Sequence, residues 1–537
     1  MSLQSFKHPH ILKGFHYKPN EILVVGLVVL AAGALLFSLH APPWIWSRSS
    51  LPLPNGPKPL PLIGNVHQLP EEYQERAFFE WGRQFGSLVF AKFFGRSVVI
   101  INSVDVARDL MEKRGAHYSD RPRFTLFGEM LEAGGTLPLQ PYDGRFRKLS
   151  GWIHDAFTPS ALQTYRDLQR RETNVLLQSF LSQPYDFQAH FARFAAALIM
   201  EIAYGHQVTA ENDEFVTLMK NGTHVLATSG SSVGGMLVDF FPIRAEWKQR
   251  ALEGRHAVRA MFRIPLDTVK TTMISGAVRP SFSSRLLDRH LVNGKFDFAA
   301  LEEEGDIRDA ASTLYGAGSE TTISVLTVFV LAMVLHPEVY AKAQEETDRV
   351  VGSDRLPELE DRESLPYLDA VIKEVYRWHA PLPMGFPHYI TREDEYKGRR
   401  IPKNTMIIGN IWGMSRDNHL YDNPERFLPE RFIVPEGSLE PADPRTYVFG
   451  FGRRMCPGKS FAESSLFMVI LNLVATMKIG KIKDKQGKEI SPALEFENGM
   501  ASRPKPFRCQ VCPRSEKAAA LVEQLDTGNA AVNVPAN

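Results

Sequence analysis

Phe449-Gly-Phe-Gly-Arg-Arg-Met-Cys-Pro-Gly458 sets a lone cysteine in a glycine-rich loop, ahead of the apolar run Leu466 to Met477. Pro457 is placed for the first position of a helix. The sulfur of Cys456 then faces backbone N–H groups at the positive helix end, which stabilises a thiolate and tunes a metal bound to it. Gly452 permits a tight turn, and Arg454 offers a planar cationic fork to an anionic group. A buried structural cysteine is the ordinary alternative. A phosphate loop is excluded by count: Gly458-Lys459-Ser460 would need glycine at 453, where arginine stands.

Outward from that loop, helical patterns dominate. Glu302 to Leu335 opens with acidic residues, which the macrodipole favours at a helix start, and stops at His336-Pro337. Its second half, Ile323 to Leu335, is apolar nearly all round and reads as a helix buried in protein. Strand-like runs are few: Ser87 to Asn102, Tyr396 to Ile411 around a Lys397-Gly398 turn, and the segment near Phe507 to Cys512. The body is therefore mostly α with small β-sheets, and one domain. Lys+Arg number 62 against 61 Asp+Glu, so no polyelectrolyte field exists to favour nucleic acid. Three cysteines in 537 residues build no disulfide framework and point to a reducing compartment.

One segment breaks the soluble pattern. Ile22 to Leu39 carries no charge, and as a helix it would span about 27 Å, close to a thin bilayer core. Trp44 and Trp46 suit the interface that follows, and no small-residue cleavage site precedes Pro42-Pro43. Lysines at 7, 13 and 18, against Arg48 and Lys58 beyond, lean weakly towards a cytosolic N-terminus. The proline-rich stretch Leu51 to Asn65 is a stiff spacer. The expected organisation is residues 1–21 as a short N-terminus, 22–46 as a transmembrane anchor, and 47–65 as a hinge. Residues 66–512 form the catalytic domain, and 513–537 a polar tail with one short helix.

Phe449, Gly452, Arg454, Cys456 and Gly458 fit F-x-x-G-x-R-x-C-x-G, and here the chain resembles the cytochrome P450 family over about residues 22 to 512. Four further stretches can be matched to the family, three in agreement and one in departure. Ala317-Gly-Ser-Glu-Thr-Thr322 is similar to the oxygen-activation motif; the resemblance gives the Thr321 hydroxyl to the reacting oxygen and proton relay to Glu320. Glu374-Val-Tyr-Arg377, with Arg431 of Pro429-Glu-Arg-Phe432, resembles the family's structural ion cluster. Alone this pair is weak, since Glu80/Arg83 and Glu346/Arg349 share the spacing. The stripe Leu368, Val371, Ile372, Val375 even places Glu374 and Arg377 off the core face. The resemblance, with Arg431 at the matching place downstream, implies instead that they are buried and structural, and we follow it. Pro387-His388 precedes a strand pair, and the resemblance has His388 and Arg454 contact haem propionates. Tyr142 to Ser150 departs from the pattern: Phe146 stands where the family usually has tryptophan, and Ser150 where it has a second arginine. Arg145, Arg147, Lys148, Arg453 and Lys459 form either a basic face for an acidic reductase or an ordinary solvated run.

The resemblance implies a P450-like fold with a single N-terminal transmembrane helix, a luminal N-terminus and a cytosolic body in the endoplasmic reticulum. It implies haem b, with Cys456 as axial ligand and Phe449 and Gly458 in the ligand loop. NADPH electrons arrive through a separate reductase, with cytochrome b5 as an optional second donor, since the chain has no dinucleotide or flavin module of its own. The implied activity is insertion of one oxygen atom of O2 into a C–H bond of a lipophilic small molecule, in secondary metabolism. An isomerase or dehydratase that uses no O2 and a non-catalytic haem carrier are the rival classes. Segments Phe124 to Gly135, Asn221 to Phe241 and Pro381 to Phe386 are the expected pocket walls. Cys509-Gln-Val-Cys512 lacks a second pair for zinc and reads as terminal strand. The sequon Asn221-Gly-Thr223 would be silent in a cytosolic body.

Overall fold

A computed structural model describes residues 51–209, 213–230, 246–298, 301–435, 437 and 440–527. The expected anchor, 22–46, and residues 47–50 of the hinge lie outside the described residues. The compact unit that begins at Leu53 carries everything below.

The main helices, in chain order, are α1 (Gln74–Phe85), α2 (Gly144–Ala156), α3 (Arg166–Ser182), α4 (Phe187–Tyr204), α5 (Glu214–Thr228), α6 (Glu246–Ile274), α7 (Leu301–Leu335), α8 (Pro337–Val351), α9 (Pro366–Trp378), α10 (Lys459–Thr476) and α11 (Glu516–Glu523). Helix α7 is the axis of the molecule. Glu302, Glu303 and Glu304 stand in its first turn, and Pro337 starts the next helix once α7 has ended at Leu335. By length and apolarity it could cross a membrane, yet 78% of its most apolar window is buried in protein, as the all-round apolar pattern requires of a core helix. Helix α4 packs closely along it because Gly318 has no side chain: a Cβ there would stand 2.8 Å from Ile199. Helix α10 is buried in the same core. Helix α5 carries the sequon, with Asn221 exposed and Thr223 buried, its hydroxyl donating to the Met219 carbonyl at 2.9 Å.

The sheets lie at the edge of this helical body. Strands β1 (Leu88–Phe93) and β2 (Arg96–Ile101) form a hairpin whose Phe94 and Gly95 both take positive φ. Strand β6 (Met406–Gly409) runs parallel to β2, and β3 (His388–Tyr389) pairs antiparallel with β6. Strands β4 (Asp394–Tyr396) and β5 (Arg399–Ile401) turn at Lys397-Gly398, also with positive φ. Strand β7 (Met477–Gly480) pairs with β8 (Gln510–Pro513), which carries Cys512, while Cys509 is buried just before it. The segment after Pro513 is not free along its described length. Helix α11 buries Val522 in the core, and Asn174 and Gln178 of α3 donate to the carbonyls of Asp526 and Leu525.

Glu374 and Arg377 are buried, as the resemblance implies and against what the apolar stripe alone suggests. Nearly every residue of α9 is covered, and both charges have no exposed surface. Arg377 grips Glu374 at 2.7 and 2.8 Å and donates to the carbonyls of Ser415, Pro424 and Arg426. Arg431 reaches the same carboxylate at 3.2 Å and the carbonyls of Asp422 and Asn423. Two arginines, one carboxylate and a set of carbonyls thus lock residues 415–431 onto α9, in the satisfied geometry a buried ion cluster demands.

Candidate active site

The ligand loop is shaped by local rules. Gly450 and Gly452 take positive φ, and a Cβ on Gly452 would stand 2.7 Å from the Met111 carbonyl oxygen. The Cys456 N–H donates to the Phe449 carbonyl at 2.9 Å, closing the loop under the sulfur. Pro457 is not the first helical residue, as the sequence led us to expect. It sits at the corner of a turn closed by Lys459 N–H to Cys456 O at 3.4 Å, with Gly458 as cap and the helix beginning at Lys459. Burial pushes the Cys456 thiol up, while the Gly458 N–H and the Lys459 charge oppose that shift by favouring the thiolate.

Cys456 lines a cavity that also takes in Ala317, Gly318, Thr321 and Thr322 of α7, and Phe146 and Ser150 of α2. Phe449, Gly458, Arg454 and His388 line it as well, so six of the predicted site residues meet there, Cys456 and Thr321 included. The Thr321 hydroxyl donates to the Ala317 carbonyl at 2.7 Å. Glu320 is not on this wall. Adjacent helix positions differ by about 100°, and its carboxylate turns to Arg503 at 3.4 Å instead. Of the expected pocket walls, Pro381 to Phe386 lines the cavity. Phe124 to Gly135 and Asn221 to Gly230 do not, several of their residues being spent in the core, and 231–241 lie outside the described residues. The chain reaches the cavity from that side through Leu137 and Pro138.

Arg121 is the residue that sequence reasoning missed. It is buried on the cavity wall, donating from Nε to Pro138 O at 2.9 Å and from Nη1 to the carbonyls of Phe386 and Pro387. Burial, reinforced by the Arg454 charge, lowers its pKa well below the usual value. Arg454 donates to the carbonyls of Ser119, Gln140 and Leu137, and burial lowers it to about 10. The His388 Nδ1–H donates to the Tyr118 carbonyl at 2.7 Å, and burial first, then Arg121, pushes its pKa down, which keeps the ring neutral at pH 7. No carboxylate among the described residues lies within ion-pair distance of Arg121 or Arg454. Asp120 acts on both only from beyond ion-pair distance, so a buried and a half-buried cation face the cavity without a paired carboxylate and call for an anion from elsewhere. Walls of Leu314, Val325, Leu382 and Phe386 require that the rest of the occupant be apolar. A flat apolar group with an acidic edge, and a metal for the Cys456 sulfur, fits this set; haem is such a group.

The proposed basic face is partly spent. Arg145 pairs with Asp306 and Asp309 at 2.6 and 2.7 Å, and Lys148 pairs with Asp306, so these two tie α2 to α7.

Comparison with known proteins agrees with the site. The family model described as Cytochrome P450 matches residues 54–511. Cytochrome P450 monooxygenase 136 of Postia placenta is 41% identical over 494 residues, covering 90% of this chain and 93% of its own. Cytochrome P450 monooxygenase 176 of the same fungus is 40% identical over 513 residues, with 94% and 98% covered. Cytochrome P450 monooxygenase claR of Ampulloclitocybe clavipes is 37% identical over 535 residues, with 96% of each covered. The chain belongs to the cytochrome P450 family. It is a haem-thiolate monooxygenase that takes O2, a small-molecule substrate and electrons from a separate reductase.

Proposed function

We propose that this cytochrome P450 inserts one oxygen atom of O2 into a C–H bond of a lipophilic small molecule, as a membrane-anchored enzyme of secondary metabolism. The observation that carries the reading is the shared cavity: Cys456, Thr321 and two carboxylate-free arginines open into one space with apolar walls. In this reading the Cys456 thiolate would ligate the haem iron. Arg121 and Arg454 would hold the carboxylated edge of haem b by charge, with His388 lining the wall beside them. Bound haem supplies the oxygen chemistry that no side chain possesses. The protein supplies position and protons. Leu314, Val325, Leu382 and Phe386 exclude water and hold the substrate's apolar body. Thr321 holds a proton at its hydroxyl oxygen, on the cavity wall. Glu320 restocks that proton when its carboxylate leaves Arg503, because it lies one residue away yet off the wall. Glu374, Arg377 and Arg431 act at a distance, by fixing the chain that leads to the ligand loop.

The uncharged run Ile22–Leu39 and the proline-rich hinge support a single-pass anchor at 22–46 with lipid as a partner. Membership of the family, against the weak lysine count, supports a cytosolic domain 66–512 at the endoplasmic reticulum and cytochrome b5 as a second donor. The test is a reduced carbon-monoxide difference spectrum on membranes expressing the full chain. The parent should show the long-wavelength Soret band of thiolate ligation, and Cys456→Ala should lose it. Persistence of that band in Cys456→Ala would overturn the axial assignment. Release of the full chain by alkaline carbonate washing would overturn the anchor.

A further inference from the structure

The wall beside Arg454 differs from the family pattern in a way that the geometry explains. The Arg454 guanidinium lies 3.8 Å from the centre of the Phe146 ring and 5.6 Å from that of Tyr142. The two rings contact each other at 5.1 Å, and Arg453 stands 5.6 Å from the outer one. Both rings are held independently of Arg454. The Phe146 N–H donates to the Asp143 carboxylate at 2.9 Å, which caps α2. The Tyr142 N–H donates at 3.0 Å to Asp120, whose same oxygen accepts the Arg121 N–H at 2.9 Å. One carboxylate therefore sets the spacing between the backbone of Arg121 and the ring stack beneath Arg454.

We propose that Phe146 and Tyr142 form an aromatic platform that positions Arg454 for the acidic edge of the cofactor. Its inner ring, Phe146, stands where the family pattern places a tryptophan, on a wall that lacks the pattern's second arginine because Ser150 stands there. A guanidinium stacked by its face keeps its N–H edge in plane, free to point along the wall. Carbonyls of Ser119, Leu137 and Gln140 take part of that edge and fix its rotation. The π-faces supply what carbonyls cannot, a hold on the charge that uses no N–H group. Ser150, one helical turn beyond Phe146, lines the cavity with only a short hydroxyl, so anion binding on this wall falls to Arg454 and Arg121. Phe146 and Tyr142 are thus positioning residues, acting through Arg454.

This inference rests on haem occupying the cavity, and the experiment separates the two. Haem release from the purified full-length holoprotein is followed by transfer to excess apomyoglobin, after a carbon-monoxide spectrum has shown thiolate-bound haem at the start. Absence of that spectrum in the parent would sink the functional reading itself. Given the spectrum, Phe146→Leu, which keeps apolar bulk and removes the π-face, should release haem about tenfold faster. Phe146→Trp, which restores a face, should return the rate to the parent's or below it. In an Arg454→Gln background, Phe146→Leu should add little, since the platform has nothing left to hold. Unchanged release in Phe146→Leu, or full additivity with Arg454→Gln, would overturn the platform. Should Phe146→Leu not accumulate, Tyr142→Leu carries the same comparison on the outer ring, with Tyr142→Phe as its rescue.

Discussion

Arg377 and Arg431 on one side, and Arg121 and Arg454 on the other, are arginines taken wholly or largely out of water that lean on backbone carbonyls. The first two share one carboxylate, Glu374, in direct contact. The second two have no carboxylate within ion-pair distance, Asp120 acting on them only from further off, and the cavity lies in front of them. A shared, contacting carboxylate makes a structural clamp. Cations without such a contact make a binding site, because the protein has carried their desolvation without completing the pair. The difference separates structural from functional arginines on physical grounds alone.

The sharpest way to break the comparison is to remove one partner from each cluster. Arg377→Met strands Glu374 in the core and should destabilise the full chain by about 3–5 kcal/mol, read as a lower urea midpoint or loss of soluble protein. A parent-like midpoint would mean that the clamp is not a clamp. Arg121→Met should cost the haem-free protein clearly less, because loss of an unpaired buried charge offsets the carbonyls of Pro138, Phe386 and Pro387 left without their donor. The same variant should weaken haem retention by about 2–3 kcal/mol, the loss of a charge-assisted bond. Equal destabilisation in both variants would erase the distinction.

Those two clusters also mark how far the sequence could be read. The ligand loop was legible because its causes are local: glycines at positive φ and a proline at a turn corner act within ten residues. Only the helix start was misplaced, since proline serves a turn corner as readily as a first helical turn. The burial of Glu374 and Arg377 was legible only through the resemblance, because periodicity on α9 reports one packed face, whereas tertiary contacts cover nearly all of it. Arg121 was hidden outright. Its partners are carbonyls at 138, 386 and 387, and a carbonyl leaves no signature in a side-chain sequence. Glu320 and Thr321 are adjacent in a motif, and only the helix shows that one faces the cavity and the other an arginine.

A smaller effect sharpens the contrast with a neutral group. Thr321→Ala removes a hydroxyl from the cavity without touching either arginine cluster. Haem retention and the thiolate spectrum should persist, while product formed per NADPH falls several-fold and peroxide rises, the scale of a lost proton donor. Unchanged coupling would take the proton role from Thr321.

The smallest effect is acidic. Asp369 accepts from Arg362 at 2.8 Å and Arg445 at 2.9 Å. Burial alone would raise its pKa, but Arg445 and Arg362 outweigh it and hold it below the usual 3.8. The stability it contributes is therefore complete above that value and lost as pH falls through the lowered one. With the carboxylate about a fifth exposed, each pair should contribute below about 1 kcal/mol. Urea midpoints compared between pH 5 and pH 3 should fall less in Asp369→Asn than in the parent. An equal fall would remove Asp369 from the acid response.

The sequon on α5 bears on how the orientation of this enzyme can be mapped. Glycosyltransferases need their acceptor asparagine and the hydroxyl two residues on in an extended, accessible stretch, and here the hydroxyl is folded against its own helix. A missing glycan on the native chain would therefore look the same whichever side of the bilayer the body occupied. Orientation mapping needs a reporter elsewhere, and the exposed segment around Leu494 offers one, away from both arginine clusters in sequence and outside any helix.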